Sequence, residues 1–373
     1  MTRRIFGTGG ILAILLSLSG CGGSSSSPST PAPTATTLPV NESTFSGNVN
    51  TPVVTLHICI PNTSTCQDVP NILVDFGSTG LRLSHTLPIA GALPQEQIGG
   101  QPLYECYSFE SGYNFGPVVT ATVSLGTTPV TVPVQISNST LTAPSSCTSG
   151  SSSAPFEPYI NGILGVLFPQ YDFGTYYDYE GNTYNNVNFS LSDMVQNPVY
   201  LLSDNNDGVL LSFPSVSPTI GAPTITGTLT FGAPSGKLLQ TDHYGEINAT
   251  LDGNSYSAFF DSGSSNFYFD DSAIHQCTIY QSPWFCPKSP VFLQPTLSSA
   301  NGASTLFSFF IVNANTLFST GNLVFSSLGA PGFQSGLLDL GFPAFLYGHN
   351  IGLSWTSTCS PSSNPGQGCF VIQ

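Results

Sequence analysis

Two stretches of the sequence repeat one pattern: residues 74–83 read VDFGSTGLRL, and residues 260–269 read FDSGSSNFYF. Each has an Asp-x-Gly-Ser turn after an apolar strand and before a second apolar run. A further element follows both turns, because residues 161–165 (NGILG) end 90 residues after the first aspartate and residues 338–341 (LDLG) end 80 residues after the second. Two duplicated halves explain this order best. A third match, residues 172–175 (DFGT), lacks the preceding apolar strand and is predicted to be a turn.

The rest of the chain also favours β-structure. Turn residues separate runs that are rich in β-branched and aromatic residues, namely residues 53–60, 118–125, 130–136, 224–231, 246–251, 256–261 and 305–312. Residues 252–254 (DGN) and 126–129 (GTTP) have the composition of hairpin turns. Helical periodicity is scarce, and the one short helix that we predict covers residues 191–197, capped by Ser190 or Ser192. The sequence therefore predicts an all-β fold with few short helices.

Length and composition exclude several classes of protein. At 373 residues the chain is long enough for two ordinary domains. Only 7% of the residues are charged, and the part after Cys21 holds three basic against 20 acidic residues, a formal charge of −17. Such a chain repels the phosphates of nucleic acids and anionic membrane surfaces. We therefore expect no nucleic-acid partner and no attachment to a membrane through charge.

The N-terminal residues resemble a bacterial lipoprotein signal. Two arginines precede an apolar run over residues 11–18 that is too short to span a bilayer, and residues 18–21 (LSGC) resemble a lipobox. This predicts a signal peptide over residues 1–20 and an acylated Cys21. The twin-arginine and Sec export routes both fit, and a plain signal peptide cut elsewhere is the alternative. The expected location is the bacterial cell envelope, as an outer-membrane lipoprotein or at the cell surface.

Composition and the repeats divide the chain after the signal. Residues 21–46 are rich in Ser, Pro and Thr and lack apolar periodicity, which predicts a flexible tether. The two repeats place an N-terminal lobe at residues 47–215 and a C-terminal lobe at residues 216–373. Each predicted lobe thus contains one Asp-x-Gly-Ser turn.

Eight cysteines follow Cys21, an even number that indicates disulfides formed in an oxidising compartment. Three pairs would close short loops and leave one longer pair, which favours the pairing Cys59–Cys66, Cys106–Cys147, Cys277–Cys286 and Cys359–Cys369. Sequence alone leaves other pairings open. Metal binding is the competing interpretation, but the chain has no Cys-x-x-Cys pair and its five histidines are scattered singly. We expect no metal and no cofactor.

The two repeats resemble those of the pepsin-type aspartic peptidases. In that family two β lobes each supply one aspartate from an Asp-Thr/Ser-Gly-Ser/Thr turn, followed by an apolar-apolar-Gly motif. The order and spacing fit across nearly all of residues 47–355. The chain is similar, more closely, to a bacterial family of secreted proteins of unknown function, through residues 204–209 (DNNDGV) and 227–232 (GTLTFG). The resemblance implies two pseudo-symmetric lobes with a central cleft.

The resemblance also implies a chemistry. Two carboxylates held around one water share a proton, because like charges at close range cannot both ionise, and aspartic peptidases are the standard example of this effect. The ionised partner activates the water, and the protonated partner polarises the scissile carbonyl. In this sequence the catalytic pair would be Asp75 and Asp261. Supporting residues on the same turns would be Gly77, Ser78, Ser262, Gly263 and Ser264.

Three positions depart from the family's pattern. Phe76 stands where the family has a hydroxyl that reaches across to the other lobe, so Ser262 keeps that role alone. Residues 109–112 (FESG) stand where the family has the Tyr-Gly-x-Gly flap hairpin. Candidates for the flap aromatic are Tyr107, Phe109 and Tyr113. Arg82 replaces an apolar aromatic behind the flap, and its charge is expected to lower the pKa values of the nearby catalytic carboxyls.

Two functions follow from these residues. One is an envelope-anchored aspartic endopeptidase that hydrolyses peptide bonds with the Asp75 and Asp261 dyad. The alternative, favoured by Phe76 and the altered flap, is a catalytically impaired protein of the same fold that binds a peptide or another surface component. In both, the expected partner is a peptide or protein, the membrane is reached only through the N-terminal lipid, and the protein is a monomer.

Overall fold

A computed structural model describes residues 36–42, 47–148, 153, 156, 158–180, 183–186, 190–279, 282–299, 301–359 and 366–373. Helix is sparse within these ranges: α1 covers Ser145–Thr148 and α2 covers Ala314–Phe318. None of the helices in these ranges is long and apolar enough to cross a membrane. The predicted signal peptide, Cys21 and residues 21–35 and 43–46 of the predicted tether lie outside the described residues.

Strands are the dominant secondary structure of the described chain, which confirms the predicted all-β class. The first twelve are β1 (Thr37–Glu42), β2 (Pro52–Cys59), β3 (Cys66–Asp75), β4 (Thr79–Ser84), β5 (Gln97–Ile98), β6 (Gln101–Phe109), β7 (Gly112–Leu125), β8 (Thr128–Ser137), β9 (Gly162–Val166), β10 (Thr175–Glu180), β11 (Thr183–Asn186) and β12 (Gly208–Ser212). The others are β13 (Thr226–Phe231), β14 (Lys237–Gln240), β15 (Ile247–Leu251), β16 (Asn254–Asp261), β17 (Phe267–Tyr268), β18 (Gln276–Ile279), β19 (Ser282–Phe285), β20 (Val291–Leu293), β21 (Thr296–Ser298), β22 (Ser304–Leu306), β23 (Phe309–Ile311), β24 (Gly329–Ala330), β25 (Leu337–Gly341), β26 (Ile351–Ser354) and β27 (Cys369–Ile372).

Two local predictions are wrong. The predicted strand over residues 305–312 is split between β22 and β23, which lie in different sheets. The predicted helix over residues 191–197 is a 3-10 turn at Leu191–Asp193 followed by extended backbone and a second 3-10 turn at Pro198–Leu201. Proline disfavours helical backbone at the residue before it, and Asn197 is extended accordingly.

The same strand order occurs in both halves of the chain. In the first half, β3 runs parallel to β9, β9 antiparallel to β4, and β4 parallel to β8. In the second half, β16, β25, β17 and β24 repeat these three relations in the same order. Asp75 ends β3 beside Gly165 of β9, and Asp261 ends β16 beside Gly341 of β25. The repeats seen in the sequence therefore form two equivalent structural units that present their aspartates in the same way.

One large sheet contains strands from both halves. β1, β13, β12, β26, β27 and β14 are neighbours in that order, and every pair is antiparallel. Residues Thr37–Glu42 form β1, with Leu38 and Val40 buried, so the prediction of a tether over residues 21–46 is wrong for these six residues. Their alternation is too short to stand out among the surrounding Ser, Thr and Pro residues. Because β12 and β13 share this sheet, the lobe boundary at residue 215 stays a prediction.

Turns and disulfides complete the scaffold. Asp252 and Gly253 both have positive φ, 50° and 81°, and join β15 to β16 in the predicted hairpin. Four disulfides, in the pairing that the spacing favoured, are Cys59–Cys66, Cys106–Cys147, Cys277–Cys286 and Cys359–Cys369. The apolar core is continuous between the halves and rich in phenylalanine.

Candidate active site

Asp75 and Asp261 meet where the two equivalent loops approach one another. A methyl group at Gly77 would come within 2.6 Å of Cγ of Asp261, and one at Gly263 would come within 2.6 Å of Oδ1 of Asp75. Each loop thus places its glycine against the carboxylate of the other loop. Any side chain at either glycine would displace a carboxylate, so this close approach requires glycine at both positions.

Each carboxylate is held by its own loop through the same two contacts. The amide of Gly77 donates to Oδ1 of Asp75 at 2.7 Å, and the hydroxyl of Ser78 donates to Oδ2. The second loop repeats this on Asp261, with the amide of Gly263 at 2.8 Å and the hydroxyl of the next serine at 2.9 Å. Donors fix the plane of each carboxylate and stabilise its ionised form. The predicted supporting residues therefore gather around the predicted pair.

The second loop contacts the first through a polar side chain, Ser262, whereas the first loop carries an apolar side chain, Phe76, at the equivalent position. The hydroxyl of Ser262 accepts a hydrogen bond from the amide of Phe76 at 3.1 Å and donates to the carbonyl of Val74 at 2.7 Å. Phe76 has no hydroxyl to return this contact. Its ring is fully buried and packs edge-on against Phe345, with the centroids 5.3 Å apart. Phe345 lies in the 3-10 turn Phe342–Leu346 of the second half, so the phenyl ring makes a hydrophobic contact between the halves in place of a hydrogen bond between the loops.

The electrostatics of the pair favour a shared proton. Burial raises the pKa of Asp261 well above its ordinary value, and the nearby carboxyls of Asp75 and Asp339 raise it further. Two carboxyls this close in a desolvated site cannot both be ionised without a large repulsive cost. Asp261 is therefore the member of the pair that retains its proton above the ordinary range of an aspartate.

The pair lines a cavity of about 700 Å³ to which both halves of the chain contribute. On the side of the first half the lining includes an apolar group, Leu73, Phe109, Phe156, Ile160 and Ile163, beside polar residues of the hairpin tip such as Ser108 and Glu110. On the side of the second half it includes Phe259, Tyr268, Phe333, Leu337 and Asp339. A cavity of this size accommodates several side chains of an extended peptide.

The hairpin of β6 and β7 forms the flap over this cavity. Phe109 is in register with Gly112, so Glu110 and Ser111 form its tip. Tyr107 and Phe109 both line the cavity, as predicted for flap aromatics. Tyr113 is not among the lining residues and packs instead against the cluster that contains the Cys106–Cys147 disulfide.

Arg82 lies fully buried behind the flap. Its guanidinium pairs with Glu105 at 2.9 Å and more closely with Asp172, and its central carbon lies 3.6 Å from the ring centroid of Tyr107. The cation therefore supports the flap tyrosine from behind. The prediction that Arg82 lowers the pKa values of the catalytic carboxyls is wrong for Asp261, whose pKa is raised, because the charge of Arg82 is matched by its own two acidic partners.

Three acidic residues around the site carried no sign of a role in the sequence. Glu105 and Asp172 are the buried partners of Arg82, although Asp172 was predicted only as part of a turn. Arg82 was a signal for Glu105 and Asp172, because an arginine at a position expected to be buried requires acidic partners in the fold. Asp339 lines the cavity, and in the alignment of the two repeats its position is equivalent to that of Ile163.

Comparisons with known proteins agree with this geometry at the level of the fold. The chain belongs to the family described as "Protein of unknown function (DUF3443)", which matches residues 30–372. No curated protein matches the sequence. Among solved structures, the chain is similar to the crystal structure of the aspartic proteinase from Irpex lacteus, with 16% identity and a TM-score of 0.56 over 91% of this chain and 98% of that one. This similarity confirms the bilobal pepsin-like fold.

Proposed function

We propose that this protein is an aspartic endopeptidase of the bacterial cell envelope that hydrolyses peptide bonds with Asp75 and Asp261. One observation carries the proposal: each of the two carboxylates is held by an amide and a hydroxyl of its own loop and lies against the glycine of the other loop. This arrangement fixes two acids around a shared position in a cavity large enough for a peptide. Structural caps of ordinary turns would not require such mutual contact.

The mechanism needs only a water molecule between the two carboxyls. The ionised member removes a proton from the water as its oxygen attacks the scissile carbonyl, and the protonated member donates a hydrogen bond to the carbonyl oxygen. Collapse of the tetrahedral intermediate breaks the C–N bond, and a proton passes from the dyad to the leaving amine. The raised pKa of Asp261 supports the presence of one protonated member. The tip of the flap would exclude bulk water from these steps.

A peptide-binding protein without turnover is the second candidate function, and Phe76 favours it. The cross-loop hydrogen bonding is one-sided, because only Ser262 reaches over to the other loop. A phenyl ring cannot supply the second hydrogen bond. A small displacement of one carboxylate would abolish hydrolysis and preserve the cavity, since catalysis depends on geometry more steeply than binding does.

Hydrolysis distinguishes the two candidates. We would incubate the purified full-length protein with an unfolded protein substrate from acidic to neutral pH, with and without a statine-type inhibitor. Asp75→Asn and Asp261→Asn should each reduce cleavage by at least about 10³-fold, whereas Asp204→Asn, at an exposed position, should leave it unchanged. Cleavage that persists in both dyad variants would exclude the dyad. A folded wild-type protein that binds peptides without cleaving them would establish the second candidate.

The proposed anchoring rests on the lipobox at residues 18–21. Cells that express the protein would be labelled with a fatty acid and fractionated. Wild-type protein should carry the label and sediment with membranes, and Cys21→Ser should carry no label and appear in the soluble fraction. Equal labelling of both proteins would reject lipidation at Cys21.

A further inference from the structure

Asp339 is a buried carboxylic acid in the cavity that the proposed hydrolysis does not use. Asp339 lies on β25 and is only 7% exposed, and its Oδ1 has no hydrogen-bond partner within the described part of the chain. Its backbone is in register with Phe259 on one side and Tyr268 on the other, and all three residues line the cavity. A desolvated carboxyl oxygen without a donor costs free energy that a ligand could recover.

The equivalent position in the first half is apolar. Ile163 of β9 lies in register with Leu73, as Asp339 of β25 lies in register with Phe259. Each of the two residues stands two positions before the glycine that pairs with a catalytic aspartate. The two halves therefore present matched positions to the two sides of the dyad, with a hydrocarbon side chain on one side and a carboxyl group on the other.

Asp339 lies close to the reacting groups. Its carboxyl contributes to the raised pKa of Asp261, and the carboxyl of Asp75 contributes in turn to the raised pKa of Asp339. A side chain bound to Asp339 would thus belong to a residue next to, or very near, the scissile bond.

The charged side chains described around Asp339 in the cavity are all acidic. Asp75, Asp261 and Glu110 line the same cavity, and its described lining contains no lysine or arginine. Arg82 lies behind Tyr107, where its own acidic partners match its charge. A cationic ligand group would supply the missing hydrogen-bond donor and would offset the repulsion among these acids.

We propose that Asp339 is a specificity-determining residue that binds a lysine or arginine side chain of a peptide, while the Ile163 side of the cleft takes an apolar side chain. The inference rests on the proposed function only for the placement of a peptide across the dyad, since recognition of the basic side chain does not require hydrolysis.

The test compares two peptides that differ in one charge. Both carry a neutral hydroxyethylene isostere in place of the central peptide bond, with leucine on one side of it and either lysine or norleucine on the other, and each is made in both orders. Calorimetry near neutral pH on the full-length protein should show one order in which the lysine peptide binds about 10- to 100-fold more tightly than its norleucine match.

Substitutions at the two matched positions assign the preference to Asp339. Asp339→Asn keeps the size of the side chain and should remove most of the preference, and Asp339→Leu should reverse it in favour of norleucine. Ile163→Leu, on the opposite side of the dyad, should leave the preference for lysine unchanged. Circular dichroism and urea unfolding would show that each variant is folded.

Three results would overturn the inference: equal binding of the two peptides by wild-type protein, binding of neither, or a lysine preference that persists in Asp339→Leu. Cleavage of the corresponding unmodified peptides is measured separately. Lysine-selective binding without cleavage would support Asp339 and reject the proposed peptidase activity. Cleavage without lysine preference would support the peptidase activity and reject the role of Asp339.

Discussion

Replacement of Phe76 by alanine should weaken the contact that joins the two halves beneath the dyad. The ring of Phe76 is fully buried and lies 5.3 Å from that of Phe345. The ring of Phe345 lies 6.3 Å from that of Phe260, the residue directly before Asp261. Phe76 therefore connects the loop of the first aspartate to the support of the second.

The expected loss follows from this burial. Removal of a fully buried phenyl ring costs about 3–5 kcal/mol of unfolding free energy, because the cavity that remains collapses only in part. Of this, about 0.5–1.5 kcal/mol belongs to the edge-on pair with Phe345. Phe76→Ser should lose about 1 kcal/mol less of unfolding free energy than Phe76→Ala. The two loops are equivalent, and the hydroxyl of Ser262 bonds to the backbone of the first loop, so a serine hydroxyl at position 76 would bond to the backbone of the second loop.

Urea unfolding of four proteins measures these quantities: the wild type, Phe76→Ala, Phe345→Ala and the double variant. The losses of unfolding free energy in the two single variants, added together, should exceed the loss in the double variant by the energy of the aromatic pair. Phe292 provides a matched control, because its ring also lies 5.3 Å from a neighbouring phenylalanine but the residue is 54% exposed. Phe292→Ala should cost less than about 1 kcal/mol.

Two results would refute this reasoning. A cost below about 1 kcal/mol for Phe76→Ala would show that the ring does not stabilise the fold by burial. Additive losses from Phe76→Ala and Phe345→Ala would show that the contact between the halves does not depend on this pair.

Three other perturbations probe charge and covalent structure. Asp261→Asn should raise stability near neutral pH and change it little in acid. Because the pKa of Asp261 is raised, the folded wild-type protein retains a proton that the unfolded chain has released, and its stability falls as the pH rises through the raised value. Arg82→Met should cost about 3–5 kcal/mol in urea unfolding, since the buried carboxyl of Glu105 loses its cation. Removal of the Cys106–Cys147 disulfide should cost about 4 kcal/mol and removal of Cys59–Cys66 about 2.5 kcal/mol, because the first separates its cysteines by 41 residues and the second by 7.

Each of these has its own control. Asp204→Asn, at an exposed position, should not alter the pH dependence, and an Asp261→Asn protein that unfolds with the pH dependence of the wild type would contradict the buried-acid argument. Arg82→Lys retains a charge and should lose less stability than Arg82→Met. Equal losses from the two disulfides would contradict the dependence on loop length.

Local patterns in the sequence predicted the elements that depend on neighbouring residues. The Asp-x-Gly-Ser turns, the hairpin at Asp252 and Gly253 and the disulfide pairing were all found where the residues indicated. The duplication predicted two equivalent halves, and the parallel pairing of β3 with β9 and of β16 with β25 agrees with that prediction. The pair Asp75 and Asp261 followed from that symmetry and from the family resemblance.

Contacts between distant residues could not be predicted in the same way. Arg82 pairs with residues 23 and 90 positions away, and no periodicity signals such a contact. The direction of the Phe76 side chain was equally hidden, because a hydrophobic residue in a turn gives no sign of which half it packs against. β1 was missed because its alternation covers only a few residues within a polar segment.

The disulfides connect the eight cysteines from Cys59 onward in strict succession: the first pairs with the second, the third with the fourth, the fifth with the sixth and the seventh with the eighth. A chain that emerges N-terminus first therefore exposes only one unpaired thiol of this set before its proper partner arrives. An oxidase that joins each new thiol to the one already waiting would produce the native connectivity directly. For a chain oxidised in this order, the native connectivity needs an oxidant but no exchange of mispaired bonds.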